Sequence, residues 1–101
     1  MRNDPSHLRF IRSLPCCACY RAGAQAAHVR RGGGGGMGLK PPDNCCVPLC
    51  ADCHREQHNR GEVSFWKDMD QVHQLANDLY AVTGRRDDGE ILIYRFWKER
   101  S

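Results

Sequence analysis

Cysteines in this chain fall into two pairs at metal-knuckle spacing. Cys16-Cys17-Ala18-Cys19 holds one Cys-x-x-Cys, Cys50-Ala51-Asp52-Cys53 holds the other, and thirty residues lie between them. Four thiolates on two such turns make a closed tetrahedral shell, the set structural zinc prefers. A redox pair or buried free thiols would explain a single turn, whereas two matched turns favour metal. Cys17, Cys45 and Cys46 are then surplus. Cys17 is an alternative to Cys16 as ligand, although its one-residue gap to Cys19 closes a poorer turn. Cys45 and Cys46 suit burial as small, weakly polar side chains. The histidines add a second chemistry. His54 directly follows Cys53 and His58 lies four residues on, so a helix starting near Cys53 would project both imidazoles from one face, able to share a second metal or simply to face solvent. A third, His28, stands in Ala27-His28-Val29-Arg30 after the first knuckle.

These groups need elements to hold them. Ser6–Leu14 is expected to be a short helix, with Ser6 as its N-cap and Leu8, Ile11 and Leu14 on one face, broken by Pro15. A cysteine-bearing turn leads into an extended strand of about five residues within AQAAHVRR. Gly32–Gly38 is too rich in glycine for regular structure and reads as a loop, closed by Lys40-Pro41-Pro42-Asp43. Asn44–Leu49 reads as a second extended segment and His54–Asn59 as helix, stopped at Arg60-Gly61. Val63–Trp66 is a short aromatic segment, with Phe65 and Trp66 expected in the core. Asp70 is a candidate N-cap for a helix reaching Thr83, with Val72, Leu75, Leu79 and Val82 on one face and Gly84 as its stop. The alternation in GEILIYRFWKERS favours a strand for the last segment. His7 and His73 are assigned to the surface.

A chain of 101 residues suits one domain with a modest core, for which a metal staple is an asset. Its amino-terminal MRNDPSHLRF has no apolar run suited to a signal peptide, and seven cysteines would leave one thiol over from a disulfide framework. We therefore expect a cytoplasmic protein with reduced thiols and no membrane span. The net charge of +3 is unevenly spread: Met1–Gly61 carries nine Lys/Arg against four Asp/Glu, and Glu62–Ser101 six against eight. The cysteine and histidine half is the basic half. That balance suits either a phosphate-bearing partner or an ordinary solvated surface.

The order Cys-x-x-Cys, strand with His28, glycine-rich loop, and Cys-x-x-Cys-His54-x-x-x-His58 resembles the HNH endonucleases, the ββα-metal nucleases. AHVR, GMGLKPPD and PLCADCHREQH are similar to phage and prophage members, the YbcO-type proteins and the phage recombination-enhancement nucleases. SHLRFIRSLPCCAC and RGEVSFW are similar to the latter group, and the likeness covers roughly residues 6–67. It implies a small α+β domain, a zinc-stapled ββα-metal motif with additional flanking helices. Residues 1–101 would form one nuclease domain, with the core motif at about 14–60 and a helical extension at about 62–101.

The resemblance also implies roles: His28 as general base, His54 and His58 as ligands of a catalytic divalent metal (Mg²⁺, Mn²⁺, Ni²⁺ or Zn²⁺), and Cys16, Cys19, Cys50 and Cys53 as structural zinc ligands. Asp43 or Asn44 would orient the loop holding the base. Many members place another ligand just before the base, where this chain has Ala27. Such a site suits phosphodiester hydrolysis. An imidazole exchanges protons near neutral pH, and an ion on His54 and His58 would contact a phosphate oxygen and the leaving 3′-oxygen. Arg30, Arg31 and Lys40 are candidate phosphate contacts, and the glycine loop is either a lip against the DNA backbone or a simple connector.

Three readings follow. The first is a metal-dependent DNA endonuclease leaving 5′-phosphate and 3′-hydroxyl ends, acting on single-stranded, duplex or branched DNA, with a recombination or phage protein as a possible partner in a bacterial host cell. The second is a catalytically inactive zinc module that binds nucleic acid, and the third a structural zinc protein. Only the first requires His28.

Overall fold

The computed structural model describes residues 4–29 and 45–100. Arg30, Arg31, the Gly32–Gly38 run, Lys40, Asp43 and Asn44 therefore lie outside the described residues. The elements are α1 (Pro5–Arg12), β1 (Ala24–His28), β2 (Cys46–Cys50), α2 (Ala51–Arg60), α3 (Glu62–Trp66), α4 (Met69–Ala81) and α5 (Arg86–Arg100). This is a small α+β architecture, and its Cα radius of gyration of 12.3 Å matches the value of about 13 Å typical of a 100-residue domain.

The strands pair antiparallel, with Ala24 opposite Cys50 and His28 opposite Cys46. Two five-residue strands are too little to stand alone in water, and here helices cover them. The helices α1 and α4 both pack on β2, and every residue of β2 is buried. Pro48 is tolerated because the sheet has only two strands, and its carbonyl accepts the Cys17 N–H at 2.9 Å. Cys46, Phe65 and Trp66 lie in the core as expected, while Cys45 is half-buried.

The first helix begins two residues earlier than the sequence suggests. Its N-cap is Asp4, not Ser6: the carboxylate accepts the His7 N–H at 3.1 Å, and Pro5 occupies the first turn, where its missing N–H costs nothing. His7 is not at the surface. It is fully buried, its Nδ1 lies 2.8 Å from Thr83 Oγ1, and its ring meets Tyr80 edge-on at 4.9 Å. Tyr80 in turn donates to Asp4 Oδ2 at 3.3 Å, so the start of α1 is tied to the end of α4. That helix is capped by Asp68, which accepts the Gln71 N–H at 3.1 Å, rather than by Asp70. Val72, Leu75 and Leu79 are buried on one face as expected, joined by Ala76, whereas α4 ends at Ala81 and Val82 is its half-buried C-cap.

The last segment is a helix, not a strand. The Ile-Leu-Ile-Tyr alternation is overridden by a different periodicity, in which Gly89, Ile93 and Phe96 are the buried positions at helical spacing. Asp87 and Asp88 in the first turn and Lys98 and Arg100 in the last complement the helix dipole. Glu90 pairs with Arg86 at 3.2 Å, and the preceding Gly84 (φ +87°) supplies the left-handed turn between α4 and α5.

At Gly89, α5 comes close to Phe10 of α1 and to Leu14 just beyond it. A Cβ there would meet Phe10 Cζ at 2.8 Å and Leu14 Cδ2 at 3.0 Å. Both side chains are buried, so their ends can yield only by repacking the core around them. Alanine would gain about 1 kcal/mol of helix propensity against about 1–3 kcal/mol of overpacking. We expect Gly89→Ala to lower the melting temperature by several degrees in a calorimetric scan.

Candidate functional site

The two knuckles meet at the end of the sheet where Ala24 faces Cys50. In the first, the Tyr20 N–H donates to Cys16 O and the Cys16 N–H to Arg21 O, both at 2.8 Å, and the Ala18 N–H points at Cys16 Sγ at 3.4 Å. Closing this turn puts Tyr20 at φ 66°, a conformation unusual for a bulky residue. The second knuckle is the strand-to-helix junction itself: Cys50 ends β2 and is the N-cap of α2, and Cys53 lies in its first turn. The positive end of the α2 dipole therefore sits among the sulfurs.

The ligand atoms of Cys16, Cys19, Cys50 and Cys53 all lie within 4.8 Å of one another. Cys19 Sγ and Cys50 Sγ are 3.6 Å apart, close to the edge of about 3.8 Å that a tetrahedron with 2.3 Å zinc–sulfur bonds would have. The cluster is therefore able to hold a metal such as zinc. Among the described residues it is the only gathered set of this kind. The open question between Cys16 and Cys17 closes in favour of Cys16, because Cys17 is outside the set, and burial together with the neighbouring Cys16 raises its thiol well above the usual range.

Crowding shows at three of the four, Cys19, Cys50 and Cys53. Burial raises Cys53, helped by the adjacent Cys16, and burial raises Cys19. At Cys50 burial pushes upward too, but hydrogen bonds from the Cys53 N–H and from the Cys19, Cys53 and Cys16 thiols outweigh it and lower the group. The neighbours of Cys50 thus favour its thiolate form. A divalent ion would stabilise all four.

The histidines converge elsewhere. His28 ends β1, and His54 and His58 stand one turn apart on α2. All three line one open cleft of about 350 Å³, with Ala26, Gln57, Gly61 and Glu62. Ala26 and His28 share a strand face because they are two residues apart. Ala27, between them, turns the other way and is 2 % exposed, so its side chain belongs to the core and not to the cleft.

Gln25 Oε1 lies 2.8 Å from His54 Nδ1. A histidine that ligates through Nε2 donates its Nδ1 proton to an acceptor of this kind, so the Gln25 contact suits a ligating role for His54. His54 and His58 also border a shallower depression with Gln25, Ala51 and Arg55. Arg55 is exposed beside Asp52 at 3.5 Å, a cation close to the histidines among the described residues.

Sequence reasoning missed Gln25, Gln57 and Glu62. Gln25 carries no pattern of its own, since it acts only through a ring 29 residues away. Gln57 was hidden because a buried polar side chain between two candidate ligands looks like any surface glutamine. Glu62 did leave a signal: it continues the spacing of four set by His54 and His58.

The profile of a family described as "Protein of unknown function (DUF968)" matches residues 2–80. The chain belongs to the DUF968 family. A curated relative is the uncharacterized protein YdfU of Escherichia coli strain K12, 35 % identical over 52 residues, which cover 52 % of this chain and 15 % of YdfU. The chain thus aligns with a small part of that longer relative. No solved structure matches it at a significant level. Among the described residues no helix is long and apolar enough to cross a membrane.

A closed thiolate site contributes on the order of 10–16 kcal/mol when zinc fills it, as much as the entire stability of a small domain. We expect one zinc per chain by native mass spectrometry. Its removal by chelator, or the substitution Cys53→Ser, should abolish the cooperative thermal transition.

Proposed function

We propose that this DUF968 protein is a metal-dependent DNA endonuclease of the HNH type. The observation that carries the proposal is the convergence of His28 with His54 and His58 on one open cleft, separate from the cysteine cluster. Supporting it is the chain order, two paired strands running directly into the helix that bears both histidines. Structural zinc on Cys16, Cys19, Cys50 and Cys53 joins the start of β1 to the start of α2. That linkage holds the base and the metal ligands in register.

In this mechanism His28 takes the proton from a water that attacks phosphorus. A divalent ion on His54 and His58, supplying Lewis acidity, is the chemistry that the ligand pair suits. Gln25 fixes the His54 tautomer, and Gln57 closes the floor between the two ligands. Arg55, with Arg30, Arg31 and Lys40, supplies cations for the DNA backbone, and Asp43 or Asn44 orients the segment that holds the base. Cleavage leaves 5′-phosphate and 3′-hydroxyl ends. DNA is the partner that this reading requires, and a phage recombination setting is what the sequence resemblance implies. The competing reading is an inactive zinc module that binds nucleic acid, suggested by a ligand pair with only two histidines. Ala27 adds nothing to it, since a core-facing position says little about ligands lost from the cleft.

The test is nicking of supercoiled plasmid with Mg²⁺, Mn²⁺ or Ni²⁺ beside a chelator control. Zinc-loaded wild type should nick only with metal, and His28→Ala should lose about 10²–10⁴-fold in rate while keeping its zinc and melting temperature. Gln25→Ala should weaken the catalytic metal about 10–100-fold, read as the metal concentration at half-maximal nicking. A folded wild type that retards plasmid on a gel yet cuts with no metal would move the reading to the binding module.

A further inference from the structure

We propose that Glu62 is the third protein ligand of the divalent ion on His54 and His58, an inference that rests on the histidine cleft being a metal site. Two imidazoles leave an ion short of donors, since catalytic metal sites commonly present three protein ligands and keep the remaining positions for water and substrate. The cleft lining narrows the choice. Ala26 and Gly61 have no side-chain donor, Gln57 offers only a neutral amide, and His28 cannot both ligate through its basic nitrogen and take a proton with it. Glu62 is the one anionic side chain among the lining residues.

The backbone delivers it there. Gly61, at φ +87°, ends α2 and starts α3, a conformation L-residues rarely adopt. The turn breaks the helix one position after Arg60, yet Glu62, half-buried, still lines the cleft with His58. Its carboxylate is not gathered with the imidazoles as the four sulfurs are with one another. The Glu62 side chain, long and rotatable, closes on the ion when the ion arrives. A carboxylate also changes which metals the site accepts. Two imidazoles alone favour Ni²⁺ or Zn²⁺, whereas an added hard, anionic oxygen brings Mn²⁺ and Mg²⁺ into range.

The experiment is a Mn²⁺ titration of zinc-loaded protein, following free Mn²⁺ by electron paramagnetic resonance, for wild type, Glu62→Gln and His54→Ala. We expect one Mn²⁺ site in the wild type, weakened at least about tenfold by either substitution, because losing a ligand should cost no less than losing its supporting partner. A Glu62→Gln affinity within twofold of wild type, with His54→Ala impaired, overturns the role of Glu62 and leaves the cleft as a metal site. A wild type that takes no Mn²⁺, Ni²⁺ or second Zn²⁺ overturns both. Should Glu62→Gln fold poorly, the unmutated protein decides: its Glu62 carboxylate ¹³C resonance should move with the second zinc equivalent. A resonance that stays fixed while those of His54 and His58 shift overturns the inference.

Discussion

Everything in this domain hangs on the contact between two turns that the sequence keeps thirty residues apart. The sulfurs of Cys16 and Cys19 meet those of Cys50 and Cys53, and this junction sits where β1 begins, β2 ends and α2 starts. A two-stranded sheet of five-residue strands has little intrinsic stability, and α2 buries only Gln57. Hydrophobic burial therefore contributes little to holding α2 against the strands. A metal on the four sulfurs can hold the helix there, because it binds ligands from both sides of the junction at fixed distances. The separation between His28 and the α2 histidines then follows from strand length and helix rise, neither of which has much freedom.

The rest of the chain is a support for that small unit. The α1 and α4 helices press on β2, whose residues are all buried, and α5 closes over α1 at Gly89. Arg100 at the end of α5 lies over both Phe65 and Trp66, 4.8 and 5.3 Å from their ring centres, and donates to Phe65 O at 3.1 Å. Through those aromatics α5 also braces α3, the element that follows the cleft. The cleft is thus bounded by a strand, a helix and a turn, each anchored from behind. Such backing is what a site needs if its geometry is to survive on a chain this short.

Legibility of the fold varied with the kind of signal. The cysteine pairs, both strands, α2 and the buried face of α4 could be read because each depends on local spacing or on a single residue type. Helix caps shifted by two residues, since Asp4 and Ser6, like Asp68 and Asp70, are equally good capping chemistries, and which one serves is settled by where packing starts the helix. The α5 segment misled because alternation over Ile91–Tyr94 imitates a strand, while the deciding contact is Gly89 against Phe10 and Leu14, a tertiary fact without a local signature. His7 was misplaced for the same reason. Its burial depends on Thr83 and Tyr80, more than seventy residues away.

At the candidate site the same division holds, and it follows from ligand chemistry. Thiolates are soft, strongly held donors, so their positions show in sequence as tight pairs, and they lie gathered, at 3.6 Å between Cys19 and Cys50. Imidazole and carboxylate donors of an open site must leave room for substrate, so they are spread over a strand end, a helix face and a turn. In the proposed endonuclease, dispersion of this kind would be a requirement of function, and it leaves only a weak trace in the sequence. Segregating soft donors at the sheet end from nitrogen and oxygen donors in the cleft would also keep two metals apart by preference, so that one ion can serve stability while exchange at the other leaves the fold intact.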